Sequence, residues 1–146
     1  MKYIKLFEDR LESLRKLVEL GLADEATLWI ADYMAGPMTH NLDLSYSGVE
    51  TLPHGLRVGG NLYLNRSQIK TLPDDLAIAG DLDLEDTNIE TLPDGLRVGG
   101  DLDLSYSQVK RLPARLKVGG NILVYGTSIT SIPADILVGG DIYGID

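Results

Sequence analysis

The sequence predicts an α/β solenoid, in which short repeats stack to lay a parallel β-sheet along a concave face behind an N-terminal two-helix cap. Three observations predict it. From Asn41 the chain repeats every twenty residues without insertion, as NLDLSYSGVETLPHGLRVGG, NLYLNRSQIKTLPDDLAIAG, DLDLEDTNIETLPDGLRVGG, DLDLSYSQVKRLPARLKVGG and NILVYGTSITSIPADILVGG, followed by a partial DIYGID. A fixed period of this length marks supersecondary units that stack. Each copy opens with polar–apolar alternation, the period of a strand. Residues 1–40 instead place apolar residues at helical spacing. The boundaries are therefore a cap at 1–40 and repeats at 41–60, 61–80, 81–100, 101–120, 121–140 and, in part, 141–146.

In the cap, YIKLFEDRLESLRKLVEL sets Ile4, Phe7, Leu11, Leu14 and Val18 on one helical face, with Gly21 as the stop. A second helix follows in ADEATLWIADYMAGP, with Asp24 as N-cap, an apolar face of Trp29, Ile30 and Tyr33, and Gly36-Pro37 as the end. Solenoid ends need covering, so the two helices are expected to shield the first repeat.

Inside each repeat the apolar positions are constant, as in Leu102, Leu104, Val109, Leu112, Leu116 and Val118. These six point inward. One isolated copy cannot bury them well enough to offset the entropy of ordering twenty residues, so each copy depends on its neighbours. The Gly-Gly pair turns the chain into the next strand. Its second member (Gly60, Gly80, Gly100, Gly120, Gly140) never varies, whereas Ala79 replaces the first once, so the second is expected to need positive φ or close backbone approach. The prolines at 53, 73, 93, 113 and 133 cannot donate to a ladder and place "LP" in the irregular return segment.

The pattern GGDLDLxxTxIxxLPxxLxV resembles the leucine-rich repeat in its short, twenty-residue bacterial "LP" version. The likeness runs from Asn41 to Asp146. Type III secreted leucine-rich-repeat effectors share the short repeat and a helical N-terminal cap, which implies a leucine-rich-repeat arc that binds protein through its concave sheet. Those proteins usually carry Asn where this chain has Ser47, Ser67, Thr87, Ser107 and Thr127, so hydroxyls must take over the loop hydrogen bonds. The ligase domain of some such effectors has no counterpart here, and its essential cysteine is absent. The opening MKYIKLFED resembles the start of many small proteins of large tailed phages.

The outward strand positions are where binding is expected. They read Asn41, Asp43, Ser45; Asn61, Tyr63, Asn65; Asp81, Asp83, Glu85; Asp101, Asp103, Ser105; Asn121, Leu123, Tyr125; and Asp141, Tyr143. With strands about 4.8 Å apart and i, i+2 neighbours about 6.5–7 Å apart, Asp81, Asp83, Asp101 and Asp103 are expected to form a rectangle of carboxylates. Like charges that close raise one another's pKa unless a cation arrives. The candidate partner-binding set is Asp43, Tyr63, Asn65, Arg66, Asp81, Asp83, Glu85, Asp101, Asp103, Tyr125 and Tyr143, matched to a protein with a basic or polar surface. Hard oxygen ligands suit calcium or magnesium, but a flat wall does not wrap an ion, so no metal and no cofactor is expected.

Other columns read as structural. Glu50, Lys70, Glu90 and Lys110 alternate in sign, and Arg66 stacks between Tyr46 and Asp86. Arg57, Arg97, Arg115 and Lys117 collect on the convex side. Beyond Tyr125 the fifth copy turns aliphatic, and Ile129, Ile132, Ile136, Ile142 and Tyr143 are expected to join two copies end to end.

The charge balance bears on function. A net charge of -9 opposes binding to a phosphate backbone, so nucleic acid is not an expected partner. No stretch matches the apolar length of a membrane span, and no secretory leader opens the chain, so the expected location is the cytoplasm where it is made, with secretion left open. The chain has no cysteine, and its histidines, His40 and His54, fall outside the strand face. With no activated nucleophile and no pocket, the expectation is a non-enzymatic protein–protein interaction module, a bacterial or phage effector or inhibitor. The alternatives are a self-assembling structural subunit and, further off, a carbohydrate-binding protein or hydrolase.

Overall fold

The structure, a computed structural model, describes residues 24–145 together with 12, 15, 16 and 19–21. The apolar face expected of the first cap helix, Ile4 to Val18, lies outside the described residues. The chain divides into two compact units, Met1–Met38 and Thr39–Asp146.

In the first unit, α1 spans Glu25–Ala35. Asp24 caps it as expected: one carboxylate oxygen accepts both the Thr27 N–H and the Thr27 hydroxyl at 2.7 Å. These bonds hold the Asp24 carboxyl below its ordinary pKa, the hydroxyl contributing most. At the other end the Gly36 N–H donates to Tyr33 O at 3.2 Å. Ala26, Ile30 and Tyr33 form the buried stripe. Trp29 departs from the expected face; it flanks that stripe and is 44% exposed.

The second unit is a parallel β-solenoid of about five coils. Its six-stranded sheet holds β1 (Leu42–Asp43), β3 (Leu62–Tyr63), β5 (Leu82–Asp83), β7 (Leu102–Asp103), β9 (Ile122–Leu123) and β11 (Ile142–Tyr143) in that order. Every pairing joins residue i to i+20, so the sequence period is also the register. The expected α/β arc is not what the return side shows. There β2 (Arg57–Val58), β4 (Ala77–Ile78), β6 (Arg97–Val98), β8 (Lys117–Val118) and β10 (Leu137–Val138) make a second, five-stranded parallel sheet. Two-residue strands are too short to announce themselves by alternation.

Between the sheets lies the core. Leu102, Leu104, Val109, Leu112, Leu116 and Val118 are all 3% exposed or less, and their equivalents in the preceding coils are buried too. The hydroxyl column takes up loop hydrogen bonds. The Ser47, Thr87 and Thr127 hydroxyls donate to the carbonyls of Leu44, Leu84 and Val124 at 2.6–2.8 Å, and the amides two residues beyond Ser47, Ser67, Ser107 and Thr127 donate back at 3.3–3.5 Å.

The glycine expectation is half corrected. None of the second glycines has positive φ; their constancy comes from close approach alone. A Cβ on Gly100 would meet the Asp81 carboxylate and lie 3.0 Å from the Gly80 carbonyl carbon, and the same holds one coil on for Gly120. The first glycines are crowded as well: a Cβ on Gly99 would collide with the Ala79 carbonyl oxygen. Positive φ occurs instead in the turn three residues past each of the first five strands of the six-stranded sheet, at Tyr46, Arg66, Asp86 and Tyr106 (54–58°) and at Gly126 (66°). Holding side-chain-bearing residues there costs about 1 kcal/mol or more each, offset by stacked backbone bonds such as Arg66 N–H to Glu85 O at 2.9 Å.

Candidate functional site

Two kinds of outward polar residue occupy the six-stranded sheet, and geometry separates them. The first column, Asn41, Asn61, Asp81, Asp101, Asn121 and Asp141, forms a ladder. Each of the first five offers a side-chain oxygen to the backbone N–H of the next member, at 2.7–2.9 Å. Asp and Asn both present such an oxygen, which is why the column alternates between them and holds nothing else. The side chain lies in the space left by the second glycine, so glycine and Asx form one device. That restriction to Asn or Asp was the sequence signal for it. Two corners of the expected rectangle, Asp81 and Asp101, are thus engaged along the stack.

The second column carries the exposed chemistry: Asp43, Tyr63, Asp83, Asp103, Leu123 and Tyr143 face one another across the strands. Asp43, Asp83 and Asp103 each accept the N–H two residues on, at 2.9–3.0 Å, which fixes one oxygen and turns the other outward. Oxygens of Asp83, Asp103 and Glu85 converge within 4.8 Å of one another. All three residues are half-buried. Burial raises the Asp83 pKa, the charges of Asp103 and Glu85 add to the rise, and the Glu85 N–H opposes it. The rectangle is therefore replaced by a triangle in which Glu85, from the third column, stands where Asp81 and Asp101 were expected.

Tyrosines flank the triangle in sequence. Tyr63 is half-buried, and its hydroxyl accepts the Asn61 side-chain amide at 2.8 Å, while the other end of that amide serves the ladder. On the far side Tyr125 is 46% and Tyr143 42% exposed. The Tyr143 hydroxyl donates to Asp141 at 3.3 Å, and the Asp141 charge raises its pKa. Asn65 is half-buried in the third column. Arg66 occupies the edge as expected, 5.6 Å from the Tyr46 ring centroid and 3.3 Å from Asp86.

Of the charge-alternating column, Glu50 and Lys70 meet at 3.3 Å; no ion pair continues it to Glu90 or Lys110 among the described residues. His54 lies at a return turn, 3.4 Å from Asp75. The Gly55 N–H, with His54 adding to it, lowers the Asp75 pKa. Of the proposed joining residues, Ile129 is buried, Ile132 is 48% exposed, and Ile136 and Ile142 are half-buried. No helix among the described residues is long and apolar enough to cross a membrane. No family model, curated protein or solved structure matches the chain.

Proposed function

We propose that the chain is a non-enzymatic binding module that docks a basic segment of another protein on its six-stranded sheet. The observation that carries this reading is the convergence of Asp83, Glu85 and Asp103 on a rigid face with tyrosines to either side. A partner's Lys or Arg relieves the crowding of three half-buried carboxylates, and Tyr63, Tyr125 and Tyr143 supply amphipathic contact area of the kind that dominates interface energetics. Asp43, Asn65 and Arg66 form the rim, with Asp81 and Asp101 holding the wall beneath. The proposed lineage is the short "LP" leucine-rich repeat, supported by the twenty-residue period and by a return side built from extended chain; effector or inhibitor activity belongs to the same proposal.

The test is affinity capture with the purified chain and with the Asp83→Asn/Asp103→Asn double variant, whose circular dichroism should match. A protein retained by the first at low salt, and lost with the second or at high salt, supports the reading. Equal capture by both, or none by either, overturns it. One observation favours a second reading, self-assembly through the fifth coil: Ile132 is 48% exposed where Leu112, at the same repeat position, is 3% exposed.

A further inference from the structure

The protein is acidic overall, yet from Leu104 to Ala134 it contains no Asp or Glu and four cations, Lys110, Arg111, Arg115 and Lys117. Three of them, Lys110, Arg111 and Arg115, lie on the return segment of the fourth coil. None of the three is in an ion pair among the described residues. Arg111 replaces the threonine that the first three coils carry at this position (Thr51, Thr71, Thr91). Arg115 replaces the glycine of Gly55 and Gly95 and is held at φ 55°, a left-handed conformation that a side-chain-bearing residue adopts at some cost.

Beside these cations runs a cleft of about 440 Å³ that spans the return segments of the third, fourth and fifth coils. Leu92, Leu112, Pro113 and Pro133 line it with apolar surface, and Arg111 stands among its lining residues. Its one carboxylate, Asp94, has an oxygen engaged by the Ala114 N–H at 3.1 Å.

We propose that this cleft is a second docking site, independent of the acidic sheet, and that it takes an acidic peptide segment bearing an aliphatic side chain. The aliphatic group covers the Leu112–Pro113 floor. A neighbouring carboxylate pairs with the guanidinium of Arg111, with Lys110 and Arg115 to either side. Arginine suits that role, since its planar fork binds a carboxylate through two parallel N–H bonds while its stem lies along apolar surface. The charge fits locally: Arg111 lines the cleft, Lys110 and Arg115 belong to the same return segment, and the one carboxylate of the lining, Asp94, has an oxygen already engaged by the Ala114 N–H.

The test uses amide chemical-shift mapping on the intact chain with three probes: a short peptide of alternating Glu and Leu, its Lys–Leu counterpart, and inorganic polyphosphate. The expected result is that the Glu–Leu peptide shifts amides of residues 91–95 and 111–115. The Lys–Leu peptide leaves those amides unmoved, Arg111→Glu weakens Glu–Leu binding about tenfold or more, and Arg111→Lys weakens it less. Equal response to both peptides, shifts spread over the surface, or indifference to Arg111→Glu would overturn the site. Polyphosphate binding as tightly as the Glu–Leu peptide would overturn the apolar half of the proposal, because the floor would then contribute nothing.

Discussion

The glycine–Asx device gives the most exact test of how the coils hold together. Asp101 accepts the Asn121 N–H at 2.7 Å, and its side chain fills the space beside Gly120 that a Cβ would need. Asp101→Ala leaves a half-buried N–H without its acceptor, a loss of about 1–3 kcal/mol. Asp101→Asn keeps an oxygen in place, as Asn61 and Asn121 do, and should fall within about 0.5 kcal/mol of the parent. Gly120→Ala must push the Asp101 side chain aside, so it forfeits the same bond and adds overpacking of about 1–3 kcal/mol, because the Gly100 carbonyl carbon is only 3.0 Å away. The double variant Asp101→Ala/Gly120→Ala loses that hydrogen bond only once, so its cost should undershoot the sum of the singles by about 1 kcal/mol. Urea titration followed by circular dichroism measures all four proteins. Strict additivity, or an Asp101→Ala as stable as Asp101→Asn, would refute the coupling of the two positions.

Asp83→Asn should stabilise the protein at neutral pH and lose its advantage in acid. Burial raises the folded-state pKa of Asp83, so its ionised form penalises folding as pH rises through that value, and below the ordinary carboxylate range both proteins are uncharged there; denaturant midpoints at pH 7 and pH 3 read the difference. Arg66→Ala should cost about 1 kcal/mol or less, since its contacts to Tyr46 and Asp86 are exposed, and a larger loss in thermal melts would give the column a weight its solvent exposure denies it. Gly95→Arg should cost about 1–2 kcal/mol, the left-handed backbone strain alone, because a Cβ there meets nothing within 4 Å and Arg115 adopts the same turn one coil on; unfolding at ambient temperature would show that the two turns differ. Sedimentation of the 146-residue chain at rising concentration should reveal dimers that Ile132→Asp disperses, whereas a single 15.9 kDa species throughout would remove the self-assembly reading.

The stack was legible because a twenty-residue period writes register directly: Leu62, Leu82 and Leu102 pair as the alignment of copies places them. The hydroxyl column and the Tyr46–Arg66–Asp86 stack were legible for the same reason. What escaped was direction. Alternation says that Asp81 and Asp83 both point away from the core, but only the backbone decides that one side chain turns along the stack to the next coil's N–H while the other keeps an oxygen outward. The left-handed residues escaped because Tyr, Arg and Asp do not advertise positive φ; only Gly126 in that column hinted at it. The second sheet escaped because two residues per strand carry too little pattern.

Repetition and its breaches carry different information in this chain. A residue that recurs at its repeat position serves the stack, since each coil must satisfy its neighbours in the same way: the aliphatic core, the Asx ladder, the second glycine and the buried hydroxyls all behave so. A departure the stack does not require needs another cause. Tyr63, Leu123 and Tyr143 interrupt a column otherwise held by Asp43, Asp83 and Asp103, and Glu85 and Tyr125 enter a column of small polar residues. These departures surround the carboxylate triangle. Arg111 and Arg115, which break the threonine and glycine columns, sit on the return side of the fourth coil. A variant carrying the consensus residue at 85, 111, 115 and 125 (Glu85→Ser, Arg111→Thr, Arg115→Gly, Tyr125→Ser) should therefore keep or gain stability, because it removes one carboxylate of the triangle and a strained turn while leaving every ladder in place. If it unfolds instead, the departures are part of the packing, and both proposed surfaces lose the argument that singled them out.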